Sequence, residues 1–285
     1  MKYPIGVSII DSKRLKLESL LELKRAGVDA IEISISDIPY SQFDFAKLKK
    51  DADQAGVDLW SMHCQFTPED SLSACDNELN RRWLERTKET INRAAAVGID
   101  KIIIHTCDRS VSEDRAGCMQ HAMEYLDKIV EYALPKDFYI ALENLPRDCL
   151  GNTPEEFMKM LECNPNLKVC FDFNHCLLTP TDEFVKKVGE RVITVHVSDR
   201  DDINERHWMP GEGVLDWVKI MDAFDTINYK GVWLYEVGFE AGGTIERPVL
   251  KCEDYVNNAK ALFARKQPVV LGTPKPNLGM WGPEE

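Results

Sequence analysis

A single-domain (β/α)8 barrel of the TIM type is the fold this α/β sequence predicts, on three observations. Eight short apolar or β-branched runs alternate with longer amphipathic stretches between residues 4 and 266, as serial βα units feeding a parallel sheet require. That span matches the ~250 residues over which eight such units close into a barrel. An open doubly wound sheet is the competing arrangement, but it carries a glycine-rich phosphate turn after its first strand. Here that place is taken by IIDSKRL (9–15).

The elements follow in order. PIGVSII (4–10) predicts the first strand, and LKLESLLELKRAG (15–27) a helix that ends on a glycine. AIEISI (30–35) and DFAKLKKDADQAG (44–56) form the second unit, again closed by glycine, and the charges of KLKK (47–50) mark its wet side. DLWSMHC (58–64) precedes NELNRRWLERTKETINRAAAVG (77–98), where Leu84, Thr87, Ile91, Ala94 and Ala95 give the apolar stripe. KIIIHTC (101–107) precedes AGCMQHAMEYLDKIVEYA (116–133), and YIALEN (139–144) precedes TPEEFMKMLEC (153–163). In the latter helix Thr153 is a cap, Pro154 suits the first helical position and Glu155 and Glu156 favour the positive helix end. KVCFDF (168–173), ITVHVS (193–198) and VWLYEV (232–237) complete the strands, with TDEFVKKVGERV (181–192), LDWVKIMDAF (215–224) and EDYVNNAKALFARK (253–266) as their helices. Glycines 27, 56, 98 and 231 stand where a left-handed residue lets a helix turn back into the sheet. The barrel is therefore assigned to residues 1–266. Residues 267–285, rich in proline and glycine, are expected to form a C-terminal extension without regular structure that packs on a neighbouring surface through Met280 and Trp281.

Composition narrows the partners. With 285 residues and 44% hydrophobic content the chain can bury a large core. A net charge of −13 disfavours nucleic acid and anionic membranes. The N-terminal apolar run reaches charge within a few residues, too soon for a signal-peptide core. No stretch approaches the ~20 apolar residues of a membrane helix, so a cytoplasmic location is expected. Nine scattered cysteines without a CxxC pair read as reduced thiols. Cys64 and Cys176 each follow a histidine, but strand neighbours point to opposite faces, which favours packing over metal ligation.

The chemistry gathers at strand ends. In such a barrel the C-terminal ends of the strands converge on one face. The third to eighth runs end in His63, His105, Glu143 or its neighbour Asn144, Asp172, His196 and Glu236. Buried acids without partners are costly, and a divalent cation would neutralise them. Two glutamates, one aspartate and one histidine are a mostly hard oxygen set suited to Mn²⁺, Mg²⁺ or Co²⁺. Additional histidines at 63, 105, 175 and 207 can support Zn²⁺ or more than one ion.

The chain resembles the xylose isomerase-like superfamily of (β/α)8 barrels, especially its sugar isomerases and ketose 3-epimerases. The matching segments are GVDAIEIS (27–34), SMHC (61–64), KIIIHT (101–106), ALEN (141–144), FDFNH (171–175), HVSDRDD (196–202), RHWMPGEGVLDW (206–217) and YEVGF (235–239). The resemblance implies that Glu143, Asp172, His196 and Glu236 hold one divalent metal ion, and that Glu143 and Glu236 remove and return a proton on opposite faces of a sugar substrate. It also implies that His175 binds a substrate oxygen and that the PGEGVLDW turn closes over the mouth. The expected reaction is proton abstraction beside a carbonyl polarised by the metal, through an enediolate, in a sugar or sugar phosphate. A hydride shift is disfavoured because no lysine stands next to FDFNH. Arg147 and Arg200, just beyond two strands, are placed to hold a hydroxyl, carboxylate or phosphate, or else are solvated loop charges. His63, His105 and His207 complete the expected substrate contacts. The epimerases' second glutamate is absent, since position 149 is Cys149, which counts against a specific ketohexose epimerase.

Three other functions compete. Endonuclease IV, a zinc-dependent hydrolase acting on abasic DNA with three zinc ions, belongs to the same superfamily. Its ligand pattern resembles His63, His105, Glu143, Asp172, His175, His196, His207 and Glu236, with Glu205 where that family has an aspartate. The acidic charge and the lack of Lys/Arg clusters stand against it. An inosose-type dehydratase would use nearly the same metal and base. A non-catalytic sugar sensor has no need of both Glu143 and Glu236. The partner expected is therefore a small-molecule sugar, with neither nucleic acid nor membrane, and barrels of this type often pair as homo-oligomers.

Overall fold

The computed structural model describes residues 2–65, 72, 76–106, 114–280 and 282. Among them eight parallel strands are hydrogen-bonded in one sheet: β1 (Ile5–Ile9), β2 (Ala30–Ile33), β3 (Asp58–His63), β4 (Lys101–Ile104), β5 (Tyr139–Glu143), β6 (Lys168–Asp172), β7 (Val192–His196) and β8 (Trp233–Tyr235). From β1 to β7 each strand pairs with the next, and β1 also pairs with β8. The remaining seam is closed just beyond β7: Val197 N–H donates to Leu234 O at 2.8 Å, and Glu236 N–H donates to Val197 O at 3.1 Å. The barrel is thus complete, and a helix follows each strand: α1 (Leu17–Ala26), α2 (Phe45–Ala55), α3 (Asn77–Ala95), α4 (Arg115–Ala133), α5 (Pro154–Leu161), α6 (Thr181–Val188), α7 (Trp217–Thr226) and α8 (Cys252–Phe263). The (β/α)8 fold is as the alternation of runs predicts.

Strand alternation divides the apolar residues into two compartments. Ile31, Ile33, Ile102, Ile104, Ile140, Leu142, Val169, Phe171 and Val195 belong to the continuous core shared with the helices. The alternate residues belong to separate small clusters, Ala30 with Val232 and Leu234, and Ile103 with Ala141 and Cys170. These lie inside the ring of strands. Two residues further along the same faces come Glu32, His105, Glu143 and Asp172. The barrel interior is therefore apolar at its floor and ionisable at its C-terminal mouth.

Helix ends obey local chemistry. Asp44, Asp76, Thr153 and Asp216 each cap a helix by accepting from a backbone N–H of its first turn. Gly27, Gly56 and Gly98 adopt φ of 101°, 69° and 76°, the left-handed conformation expected of them. Gly231 does not. After α7 the left-handed residue is Asn228, at φ 56°. Gly231 is required instead by crowding, because a Cβ there would stand 2.4 Å from Tyr229 Oη and 2.7 Å from Ile193 O. The α3 stripe also shifts: Ala95 is exposed, while Asn80, Trp83 and Thr90 join Leu84, Thr87, Ile91 and Ala94 in the buried face.

The C-terminal extension is more ordered than its composition suggests. Two short strands, β9 (Ile245–Glu246) and β10 (Thr273–Pro274), pair antiparallel, and Lys275 N–H donates to Thr244 O. Further on, Arg206 Nη2 donates to Gly279 O at 2.7 Å and Asn204 Nδ2 to Met280 O at 2.6 Å. The extension is thereby tied to the loop after β7. Trp281 and Cys107 lie outside the described residues. The described cysteines are free thiols, and no helix among the described residues is long and apolar enough to cross a membrane.

Candidate metal centre and active site

Strand ends bring the ionisable side chains together. Glu143, Asp172 and His196 are the last residues of β5, β6 and β7, and Glu236 directly follows β8. Asn144 fixes the first two. Its Oδ1 accepts from Asp172 N–H at 2.8 Å and its Nδ2 donates to Asp172 O at 2.9 Å, so its amide staples β5 to β6 rather than reaching the mouth. Asp172 Oδ1 accepts from the N–H groups of Asn174 and His175 at 2.6 and 3.1 Å, which turns FDFNH back over the barrel and leaves Oδ2 facing inward.

Four ligand atoms then converge. His196 Nδ1 lies 3.2 Å from Glu143 Oε1, 3.4 Å from Glu236 Oε2 and 3.8 Å from Asp172 Oδ2. Atoms offered by Glu143, Asp172, His196 and Glu236 all fall within 4.8 Å of one another. Asp172 Oδ2, His196 Nδ1 and Glu236 Oε2 are buried without a hydrogen-bond partner among the described residues. Buried polar atoms are almost always satisfied, and three orphans aimed at one point are what a cation would satisfy. The donor set, three carboxylates and one imidazole, fits a divalent ion. The residues present therefore fit the metal that the family resemblance implies.

Protonation in the metal-free chain tells the same story. Burial pushes Asp172 up to about 7, with Glu236 and Glu143 adding to the rise against His175 and His196. Glu236 rises through burial and the neighbouring Glu143. Burial alone would raise Glu143, yet His196, His105 and His175 hold it well below the usual carboxylate range. Burial opposes charge on His196 and His175, but Cys170, Glu236, Glu143 and Glu32 carry His196, and Asp172, Glu143 and Glu205 carry His175, well above the ordinary imidazole range. Protons thus compensate part of the negative charge that a metal would otherwise neutralise.

Two further groups flank the centre. His63 Nε2 and His105 Nε2 lie 3.3 and 3.0 Å from Glu143 Oε2 and 3.2 Å from each other. His63 Nδ1 is 2.9 Å from Cys64 O, and a carbonyl can only accept, so in neutral His63 the lone pair sits on Nε2 and faces Glu143. On the other side His175 Nδ1 meets Asn144 O at 2.9 Å and His175 Nε2 meets Glu205 Oε2 at 2.9 Å. Glu205 Oε1 accepts from Arg147 Nη1 at 2.6 Å, and His175, Glu205 and His207 offer atoms within 4.8 Å of one another.

The mouth opens into a cavity of ≈320 Å³, within the size range of small-molecule sites. His63, His105, Glu143, Arg147, His175, His207 and Glu236 all line it, with Glu205 and the apolar Ile10, Leu145 and Pro146. Arg200 does not line it. Its guanidinium is buried and donates to Cys176 O and Asp201 O, both at 2.7 Å, so it braces two loops. Glu32 is the residue that sequence reasoning passes over. It is fully buried in β2 and its Oε1 lies 3.0 Å from His196 Nε2. The signal is an acid inside the apolar run AIEIS at inward-facing parity.

A (β/α)8 barrel whose carboxylates and imidazoles converge at its C-terminal mouth offers a donor set that could hold a divalent ion. The model for the xylose isomerase-like TIM barrel family matches residues 20–249, and the chain belongs to that family. An uncharacterized protein of Methanocaldococcus jannaschii is 33% identical over 248 residues, covering 81% of this chain and 82% of its own. The D-psicose 3-epimerase of Ruminiclostridium cellulolyticum is 24% identical over 251 residues, 84% and 83% of the two chains. Among solved structures, an L-ribulose 3-epimerase superposes with a TM-score of 0.71 at 19% identity, covering 82% of this chain and 81% of that one. At that identity the likeness is one of fold.

Proposed function

We propose that this protein is a divalent-metal-dependent sugar or sugar phosphate isomerase or epimerase that abstracts a proton beside a carbonyl. The observation that carries this reading is the convergence of Asp172 Oδ2, His196 Nδ1 and Glu236 Oε2, all without partners, beside Glu143 Oε1 under a sugar-sized cavity. The sugar epimerases among its relatives support the substrate class.

Bound among Glu143, Asp172, His196 and Glu236, the cation would supply Lewis acidity toward a carbonyl and its neighbouring hydroxyl. One of Glu143 and Glu236, in its ionised form, then removes the proton from the adjacent carbon, giving an enediolate. The other, in its protonated form and on the opposite side, returns a proton to invert that carbon, whereas return to the neighbouring carbon by a single acid isomerises ketose and aldose. Asp172 stays ionised and, with His196, keeps both glutamates in register. His175 is held at Asn144 O and Glu205 Oε2, so a substrate hydroxyl would have to share its Nε2 with Glu205, and Ile10, Leu145 and Pro146 limit water at the reacting carbon. Arg147 is already held by Glu205 and Asn204, so a phosphate would have to share it. The test is deuterium exchange from solvent into ketoses, aldoses and inosose-like ketones with Mn²⁺, Mg²⁺ or Co²⁺. Exchange that disappears in Glu236→Gln supports the reading. Undiminished exchange in that variant removes Glu236 from the chemistry.

A second reading has its own observation. The groups His63–His105–Glu143 and His175–Glu205–His207 flank the central four and are spaced for ions of their own, the arrangement that a three-zinc hydrolase of the endonuclease IV kind would use. The net charge of −13 and the engagement of Arg147 and Arg200 with protein groups weigh against a phosphate backbone as substrate. Cleavage of an abasic duplex by protein carrying three zinc ions would reverse the order of the two readings.

A further inference from the structure

We propose that Glu32 is the positioning residue of the metal centre, fixing the tautomer and orientation of His196 from beneath. This inference rests on the reading of Glu143, Asp172, His196 and Glu236 as a metal site. Glu32 stands in β2, across the barrel from β7 and 164 residues away from His196 in sequence, with no exposure to solvent. Its carboxylate is held from three strands, β1, β3 and β7. Ser8 Oγ donates to Oε1 at 3.0 Å, Ser61 Oγ donates to Oε2 at 2.7 Å, and Oε1 lies 3.0 Å from His196 Nε2. An ionised carboxylate only accepts, so the proton between Glu32 and His196 belongs to Nε2. The remaining ring nitrogen, Nδ1, is the atom that faces Glu143 and Glu236 and lacks a hydrogen-bond partner.

The arrangement has a chemical purpose that packing alone does not supply. A buried acid is costly in a barrel interior, and an apolar side chain would fill the same space without that cost. Two serines on neighbouring strands and one imidazole are spent on holding the carboxylate in place. In exchange, His196 presents an unprotonated Nδ1 to a cation and gains basicity through its charged partner, as histidines do when an outer carboxylate holds the distal N–H. The ligand and its orienting acid come from β7 and β2, so the geometry of the centre depends on barrel closure rather than on any loop.

The experiment compares metal binding with folding. Wild type and Glu32→Gln are stripped of metal, titrated with MnCl₂ by calorimetry and unfolded in the stripped state. The variant keeps the side-chain volume and should fold, while its Mn²⁺ affinity falls by roughly 10–100-fold. A variant that binds Mn²⁺ within twofold of wild type, whatever its stability, overturns the positioning role and leaves the site intact. Absence of ion binding in wild type overturns the site and the role together. Long-range ¹H–¹⁵N spectra of Zn²⁺-loaded wild type give an independent check that needs no variant. The proposal requires a proton on His196 Nε2 and the ion's shift on Nδ1, and the reverse assignment refutes it.

Discussion

Replacing Asp172 by Asn should make the metal-free protein more stable and the metal-binding protein useless. Asp172 is fully buried, and its surroundings move its acid from the ordinary 3.8 to about 7. An acid whose folded value is raised favours folding most when it can hold its proton, and that contribution is lost as pH rises from about 4 through about 7. A rise of ~3 units corresponds to a ceiling of about 4 kcal/mol above pH 7. The gain is trimmed where His175 and His196 lose a partner, so about 1–3 kcal/mol is the expected stabilisation. Asn can keep Oδ1 as acceptor for the N–H groups of Asn174 and His175, so the turn of FDFNH survives. What it cannot supply is a charged oxygen at Oδ2. Denaturant unfolding of stripped wild type and Asp172→Asn at pH 5 and pH 8, followed by Mn²⁺ titration, measures both effects. The variant should gain stability chiefly at pH 8 and lose binding. A variant that is destabilised at pH 8, or that binds Mn²⁺ like wild type, would refute the reasoning.

Three other outcomes follow from particular contacts. Because Asp172 takes up a proton near 7 and His196 must give one up to bind, metal affinity should fall steeply as pH drops from 8 to 6, measurable by titration at each pH. Asn144→Ala removes the staple between β5 and β6 and leaves Asp172 N–H without its partner. It should cost about 1–3 kcal/mol in denaturant unfolding and weaken metal binding as well. Gly231→Ala places a Cβ against Tyr229 Oη and Ile193 O and should cost about 1–3 kcal/mol while leaving metal affinity unchanged.

Much of this architecture is legible in the chain because strand ends are local. Glu143, Asp172, His196 and Glu236 each close or directly follow an apolar run, and barrel closure does the rest. The glycines after α1, α2 and α3 are equally readable, since a left-handed residue there is a local demand. What escaped depends on contacts across the fold. Glu32 looks like one polar residue in a strand until β7 brings His196 to it. Arg200 follows β7 at a distance that suits a substrate contact, yet the loop after β6 offers Cys176 O as its partner. Gly231 is set by a tyrosine ring and a carbonyl of β7, and the β9–β10 ladder joins segments that composition alone reads as coil.

The most direct test is a crystal soaked in Mn²⁺ and measured for anomalous scattering at a wavelength where manganese dominates. The account predicts a strong peak within bonding distance of Glu143 Oε1, Asp172 Oδ2, His196 Nδ1 and Glu236 Oε2. An empty centre at saturating Mn²⁺, or an ion bound only elsewhere on the chain, would contradict it.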